Sequence, residues 1–146
     1  MTTMIKCQIL TVVLGLIVIV LGGSLYIFYR SESLALFEWV RAVGMYDLVY
    51  SMRPEEDLDS WLVYSLPDGL WLLSYILIMA ALRNFDIRES LLYSAPLIVG
   101  AFVSEFLQIS DKVKGTFDIV DLMCYAAAVV LGVVYVRIIN KCINKN

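Results

Sequence analysis

Two aspartates, Asp118 and Asp121, stand in the stretch GTFDIVD (115–121), directly ahead of the apolar run LMCYAAAVVLGVVYV. Residues three apart share a face on a helix, and an ionised group beside hydrocarbon is costly enough to need a reason. A second pair at the same spacing, Glu105 and Gln108, closes an earlier apolar run, and Asp68 opens another. Tyr125 follows Asp121 by four and extends the same stripe inward. Carboxylates grouped this way can hold a cationic or polar group, or bind a hard cation such as Mg²⁺ or Ca²⁺ through oxygen. They can also exchange protons if burial raises one of them. The spacing alone selects none of these, and no cofactor or resident metal is read from it. An acid in the first turn of a helix complements the helix dipole, worth about 0.3–1 kcal/mol. That accounts for Asp68 and Asp118 without any ligand. It does not account for Asp121, one turn further in, or for Glu105, which lies inside its apolar run.

The elements that must position these groups belong to a lipid environment. The chain has 146 residues, 61% of them hydrophobic and 17% charged, with a mean hydropathy of +0.82. Soluble domains average about 45–50% apolar and about 25% charged residues, so this is a membrane protein whose length suits one transmembrane domain over 1–146. A net charge of −3 leaves no basic face to neutralise phosphates and argues against a nucleic-acid partner. Histidine is absent, which excludes histidine triads and histidine zinc motifs. Cys7, Cys124 and Cys142 show neither CxxC spacing nor a disulfide framework.

An all-α, polytopic fold follows. A helix needs about 20 apolar residues to cross a bilayer, and four runs come near that: 8–29, 65–82, 90–109 and 116–140. The first lacks an A-x-A cleavage pattern and reads as an uncleaved helix. In the second, Ser65 is placed to cap, Pro67 suits the first turn and Asp68 occupies a capping-box position. Between the first and second runs lies an acidic extramembrane segment, 30–60. There Leu36, Trp39, Val40, Val43, Tyr46 and Tyr50 fall at helix spacing, predicting one amphipathic helix at the membrane interface. The steps Gly100/Ser104 and Ala128/Gly132 predict close helix approaches.

Four spans put both termini on one side. The basic tail with Arg137, Lys141 and Lys145 places that side in the cytoplasm of a cell's inner membrane. Asp68, Glu105, Gln108, Asp118 and Asp121 then gather at the opposite, outer face. Lys112 and Lys114 sit in the turn nearby and offset part of their charge.

The stretch SEFLQ…KGTFDIVDLMCYAAAVVLG resembles the signature of the VanZ-like family, small polytopic membrane proteins named for a teicoplanin-resistance protein. That family ends one helix with Glu-x-x-Gln, turns through Gly-Arg, and begins the next helix with Asp-x-x-Asp, then Asn and spaced glycines. Glu105, Gln108, Gly115, Asp118, Asp121 and Gly132 match it, and LPDGLW (66–71) is similar to the polar start of an earlier family helix. The turn arginine is absent here, with Lys114 or Thr116 nearby, and Tyr125 stands at the Asn position. The resemblance implies an envelope protein linked to glycopeptide tolerance, with an outward acidic pocket binding a lipid or cell-wall precursor headgroup. A second reading comes from the residues alone: an oligomeric membrane effector or cation-conducting subunit, in which rings of Asp118 or Asp121 select cations. It expects a homo-oligomer, with a soluble or membrane partner docking on segment 30–60, as in phage defence.

Overall fold

The structure, a computed structural model, describes residues 2–32, 35–56, 58–110 and 115–145. All secondary structure among them is helical. Seven helices follow in order: α1 Thr2–Tyr29, α2 Ala35–Ala42, α3 Tyr46–Ser51, α4 Ser60–Tyr64, α5 Leu66–Leu82, α6 Ile87–Gln108 and α7 Ile119–Asn144. Three of them, α1, α6 and α7, are long and apolar enough to cross a membrane. The chain is thus built for a membrane. α5 is apolar but shorter, at 17 residues.

α5 is the helix on which the others pack, lying against α1, α6 and α7. Lipid tails are as apolar as leucine, so helices in a bilayer associate by close van der Waals contact and hydrogen bonds rather than by apolar burial. Small residues provide that contact here. Gly15 meets Ser74 and Ile78, and Gly22 meets Trp71 and Pro67, so α1 and α5 run antiparallel. The Ser74 hydroxyl, buried at this seam, donates to Gly15 O at 2.8 Å. On the other side Gly69 meets Cys124 and Gly132 meets Ile76, so α5 and α7 run parallel. The expected approach at Ala128/Gly132 is present, whereas a Cβ at Gly100 would meet no described atom within 4 Å.

α1 therefore begins, and α7 ends, at the same end of the bundle, where Cys7 and Ile143 pack on a cluster of Ala80, Ala81, Phe85 and Val136. The α5–α6 turn closes that end. Asn84 and Phe85 have φ of 55° and 58°, a strained choice for a non-glycine residue. Full burial of Phe85, its N–H donating to Ala80 O at 2.8 Å and Asn140 Nδ2 donating to its carbonyl at 2.8 Å hold it there. Asp86 accepts from Glu89 N and caps α6.

At the opposite end, the described residues between Arg30 and Glu56 fold back over the end of α1. Arg53 organises them. Its guanidinium donates to the terminal carbonyls of α1, Phe28 O at 3.0 Å and Arg30 O at 2.6 Å, a cationic cap at the negative end of the helix dipole. It also pairs with Glu32 at 3.1 Å and stacks on buried Phe37. Arg41 lies 3.9 Å from the same carboxylate, and Tyr46 donates its hydroxyl to it. That hydrogen bond raises the Tyr46 pKa above the ordinary tyrosine value.

The predicted amphipathic helix is not continuous. It breaks into α2 and α3 at Gly44, whose φ of +72° lies in the left-handed region that no helix interior adopts. Trp39, Val43 and Tyr50 of its expected apolar stripe are exposed, and the inward residue is Phe37; the side chain of Leu36 lies outside the described set.

Candidate functional site

At the Arg53 end of the bundle the ends of α1 and α6 and the beginnings of α5 and α7 enclose a cavity of about 400 Å³. Five of the six residues singled out in the sequence line it: Asp68, Glu105, Gln108, Asp118 and Asp121. Antiparallel packing of α6 on α5 and α7 brings them together, since one helix must end where the other two begin.

Each acid has a distinct setting. Glu105 is 3% exposed, and both its oxygens are engaged. Gln108 Nε2 donates to one at 3.3 Å and the Asp118 backbone N–H to the other at 3.4 Å. Glu105 thus pins the turn before α7 to the last turn of α6. Asp118 caps α7, accepting from Val120 N at 2.9 Å, which satisfies one of the free N–H groups of that helix end. Gly115 is fixed by the same corner. Its φ is +139°, and a Cβ there would sit 2.8 Å from Gln108 Cδ.

Asp121 lies one turn inside α7, and its Oδ1 is buried with no hydrogen-bond partner among the described residues. Asp68 is half-buried in the first turn of α5. The expected capping arrangement around it does not form: Ser65 makes no side-chain cap because α4 runs almost directly into α5. Ser65 keeps helical dihedrals, and its buried hydroxyl has no hydrogen-bond partner among the described residues. Asp68 instead faces the cavity, within electrostatic reach of Asp121, Glu105 and Arg30.

Tyr125 does not line the cavity. It is 7% exposed, packed with Leu72, Ile76 and Ala128 in the apolar layer below, with its ring 5.8 Å from that of Phe102. It forms the floor. Lys112 and Lys114, expected to offset the charge, lie outside the described residues.

Sequence reading missed the cationic member. Arg30 follows α1 and lines the cavity with Ser60, Trp61 and Tyr64 of α4. Its guanidinium carbon lies 4.9 Å from the Tyr26 ring centroid and 4.7 Å from that of Tyr64, so the two rings fix it by cation–π attraction. Arg30 Nε is buried without a hydrogen-bond partner among the described residues. The available signal was positional: Arg30 closes the first apolar run, on the side of the bundle where Asp68 opens the second.

Among the described residues the cavity lining therefore holds four carboxylates and one guanidinium, and neither Arg30 Nε nor Asp121 Oδ1 has a hydrogen-bond partner there. Among the described residues, no three carboxylate or thiol groups converge as metal ligands; the acids are spread along the wall. No family model, curated protein or solved structure matches the chain.

Proposed function

We propose that this chain is a VanZ-like membrane protein of four spans whose outward acidic pocket binds a cationic or polar headgroup, acting in envelope tolerance. The observation that carries this reading is the cavity itself, which collects Asp68, Glu105, Gln108, Asp118 and Asp121 from three helices. Those positions include four of the six on which the family resemblance rests, and Gly115 lies in the same wall. The turn arginine missing from the signature has a counterpart in Arg30, which brings a guanidinium to the same cavity from α1.

α5 is the fourth span in this reading. Its 17 residues extend about 26 Å, near the roughly 30 Å of hydrocarbon, and it stays in register with α1 from Trp71 to Ala81. Both termini then share the cytoplasmic side. α2 and α3 lie at the outer interface, where exposed Trp39 and Tyr50 suit the headgroup layer. The apolar floor of Tyr125, Leu72 and Ile76 closes the cavity from below, which favours a binding pocket over a pore through one subunit.

The test is titration of the detergent-purified protein with ethanolamine phosphate, choline phosphate and glycerol phosphate, read by fluorescence of Trp61 at the pocket. A saturable response that disappears in Asp121→Asn and Asp68→Asn supports the reading. A response that persists in the double variant overturns it.

A further inference from the structure

We infer that the ligand of this pocket is a whole membrane lipid with a primary-amine phosphate headgroup, its tail lying in a groove between α5 and α7. This rests on the headgroup reading above and names the ligand class. An apolar groove of about 350 Å³ runs down the outer seam of α5 and α7, between Leu70 and Leu73 on one side and Met123, Ala127 and Leu131 on the other. It lies beside the acidic cavity, since Trp61 and Val120 line both. From Val120 to Leu131 it extends about 16 Å at 1.5 Å per residue, a length suited to much of one acyl chain. Met123 and Leu131 are exposed along it, so the groove is open to the surrounding bilayer. A water-soluble ligand would use the cavity and leave this continuation empty. An amphiphile with its polar end in the cavity fills both.

The charged lining of the cavity specifies the headgroup: a guanidinium from Arg30 faces the carboxylates of Asp68 and Asp121 across it. Among the described residues, Arg30 Nε and Asp121 Oδ1 have no hydrogen-bond partner. Glu105 and Asp118 are already committed to the turn. The complement is one anionic oxygen group for Arg30, as guanidinium–phosphate pairing provides, and one N–H-bearing cation for Asp121 and Asp68. A phosphate linked to a primary ammonium supplies both. A quaternary ammonium has no N–H to give Asp121, and an anionic glycerol headgroup brings a phosphate for Arg30 but no cation for the carboxylates.

The experiment loads the purified full-length protein into bilayer discs of equal parts phosphatidylethanolamine, phosphatidylcholine and phosphatidylglycerol, and reads the retained lipid by native mass spectrometry. Phosphatidylethanolamine should be retained about tenfold or more over the other two. Ala127→Trp, which fills the groove and leaves the cavity alone, should cut retention about tenfold while the ethanolamine phosphate titration stays unchanged. That unchanged titration also shows the variant is folded; if it is lost, Ala127→Phe takes its place. Asp121→Asn should abolish the preference over phosphatidylcholine. Equal retention of the three lipids overturns the inference. Indifference to Ala127→Trp, with soluble headgroup bound as tightly as lipid, overturns the lipid assignment and leaves the pocket reading standing. No retained lipid and no headgroup response overturns both.

Discussion

Replacing Gly69 by alanine should push α5 away from α7 at their close crossing, next to Asp68. A Cβ at this position would lie 2.9 Å from Cys124 Cβ and 3.1 Å from Cys124 O, whereas carbon atoms in ordinary contact sit about 3.5–4.0 Å apart. The nearest obstacle includes backbone, which cannot swing aside, so the helices must part by roughly 0.5–1 Å. Overpacking of that kind costs about 1–3 kcal/mol. Removing a glycine from a helix interior returns about 0.5–1 kcal/mol, leaving a net loss of up to about 2.5 kcal/mol. Gly100→Ala is the internal control, since a Cβ there meets nothing within 4 Å and only the propensity gain applies. Both variants can be unfolded in mild detergent by titration with a denaturing detergent, following loss of tertiary structure. Gly69 adjoins Asp68, and Cys124 lies three residues from Asp121, so the same displacement should also weaken the headgroup response. If Gly69→Ala proves as stable as Gly100→Ala, the close α5–α7 crossing is wrong.

Arg53→Ala should release the segment over the end of α1, because three hydrogen bonds of one guanidinium are lost; proteolysis between residues 31 and 59 should accelerate while the bundle melts nearly as before. Arg53→Lys should rescue it only in part, since a point ammonium cannot reproduce the planar fork. Glu105→Gln retains an acceptor oxygen for the Asp118 N–H, whereas Glu105→Leu leaves that donor buried and unpaired. The leucine variant should be the less stable by about 1–3 kcal/mol in the same unfolding titration, and the reverse order would refute the assigned role. Thr11→Val and Tyr135→Phe, which break the 2.7 Å bond between α1 and α7, should show a coupling of about 0.5–1.5 kcal/mol in a double-mutant cycle.

The parts of the fold that follow from apolar run length were legible in the sequence. α1, α6 and α7 lie where hydropathy places them, because lipid demands long uninterrupted apolar helices and leaves few alternatives. The grouping of Asp68, Glu105, Gln108, Asp118 and Asp121 was also legible, because helix direction alone decides which ends meet. Contacts between distant polar residues were not. Nothing in the spacing of Arg53 says that it caps α1 from 23 residues downstream, and the break at Gly44 defeats a periodic reading of its neighbours. Tyr125 continued the acidic stripe on paper, but it packs with Leu72, Ile76 and Ala128 in the apolar layer below. The glycine contacts divided in the same way. Gly132 and Gly100 carry the same small-residue spacing, and only tertiary packing determines that one meets Ile76 and the other open space.

The central claim is a water-accessible pocket at the outer membrane face, occupied by an amine headgroup. Ser60→Cys, in a background lacking Cys7, Cys124 and Cys142, tests it most directly. Ser60 lines the cavity without serving as one of its charged groups. Intact cells would be treated with a membrane-impermeant thiol reagent, with and without ethanolamine phosphate. Labelling from outside that slows as the ligand is added is the predicted result. Labelling only after the cytoplasmic side is opened, or at a rate indifferent to the ligand, would contradict the account.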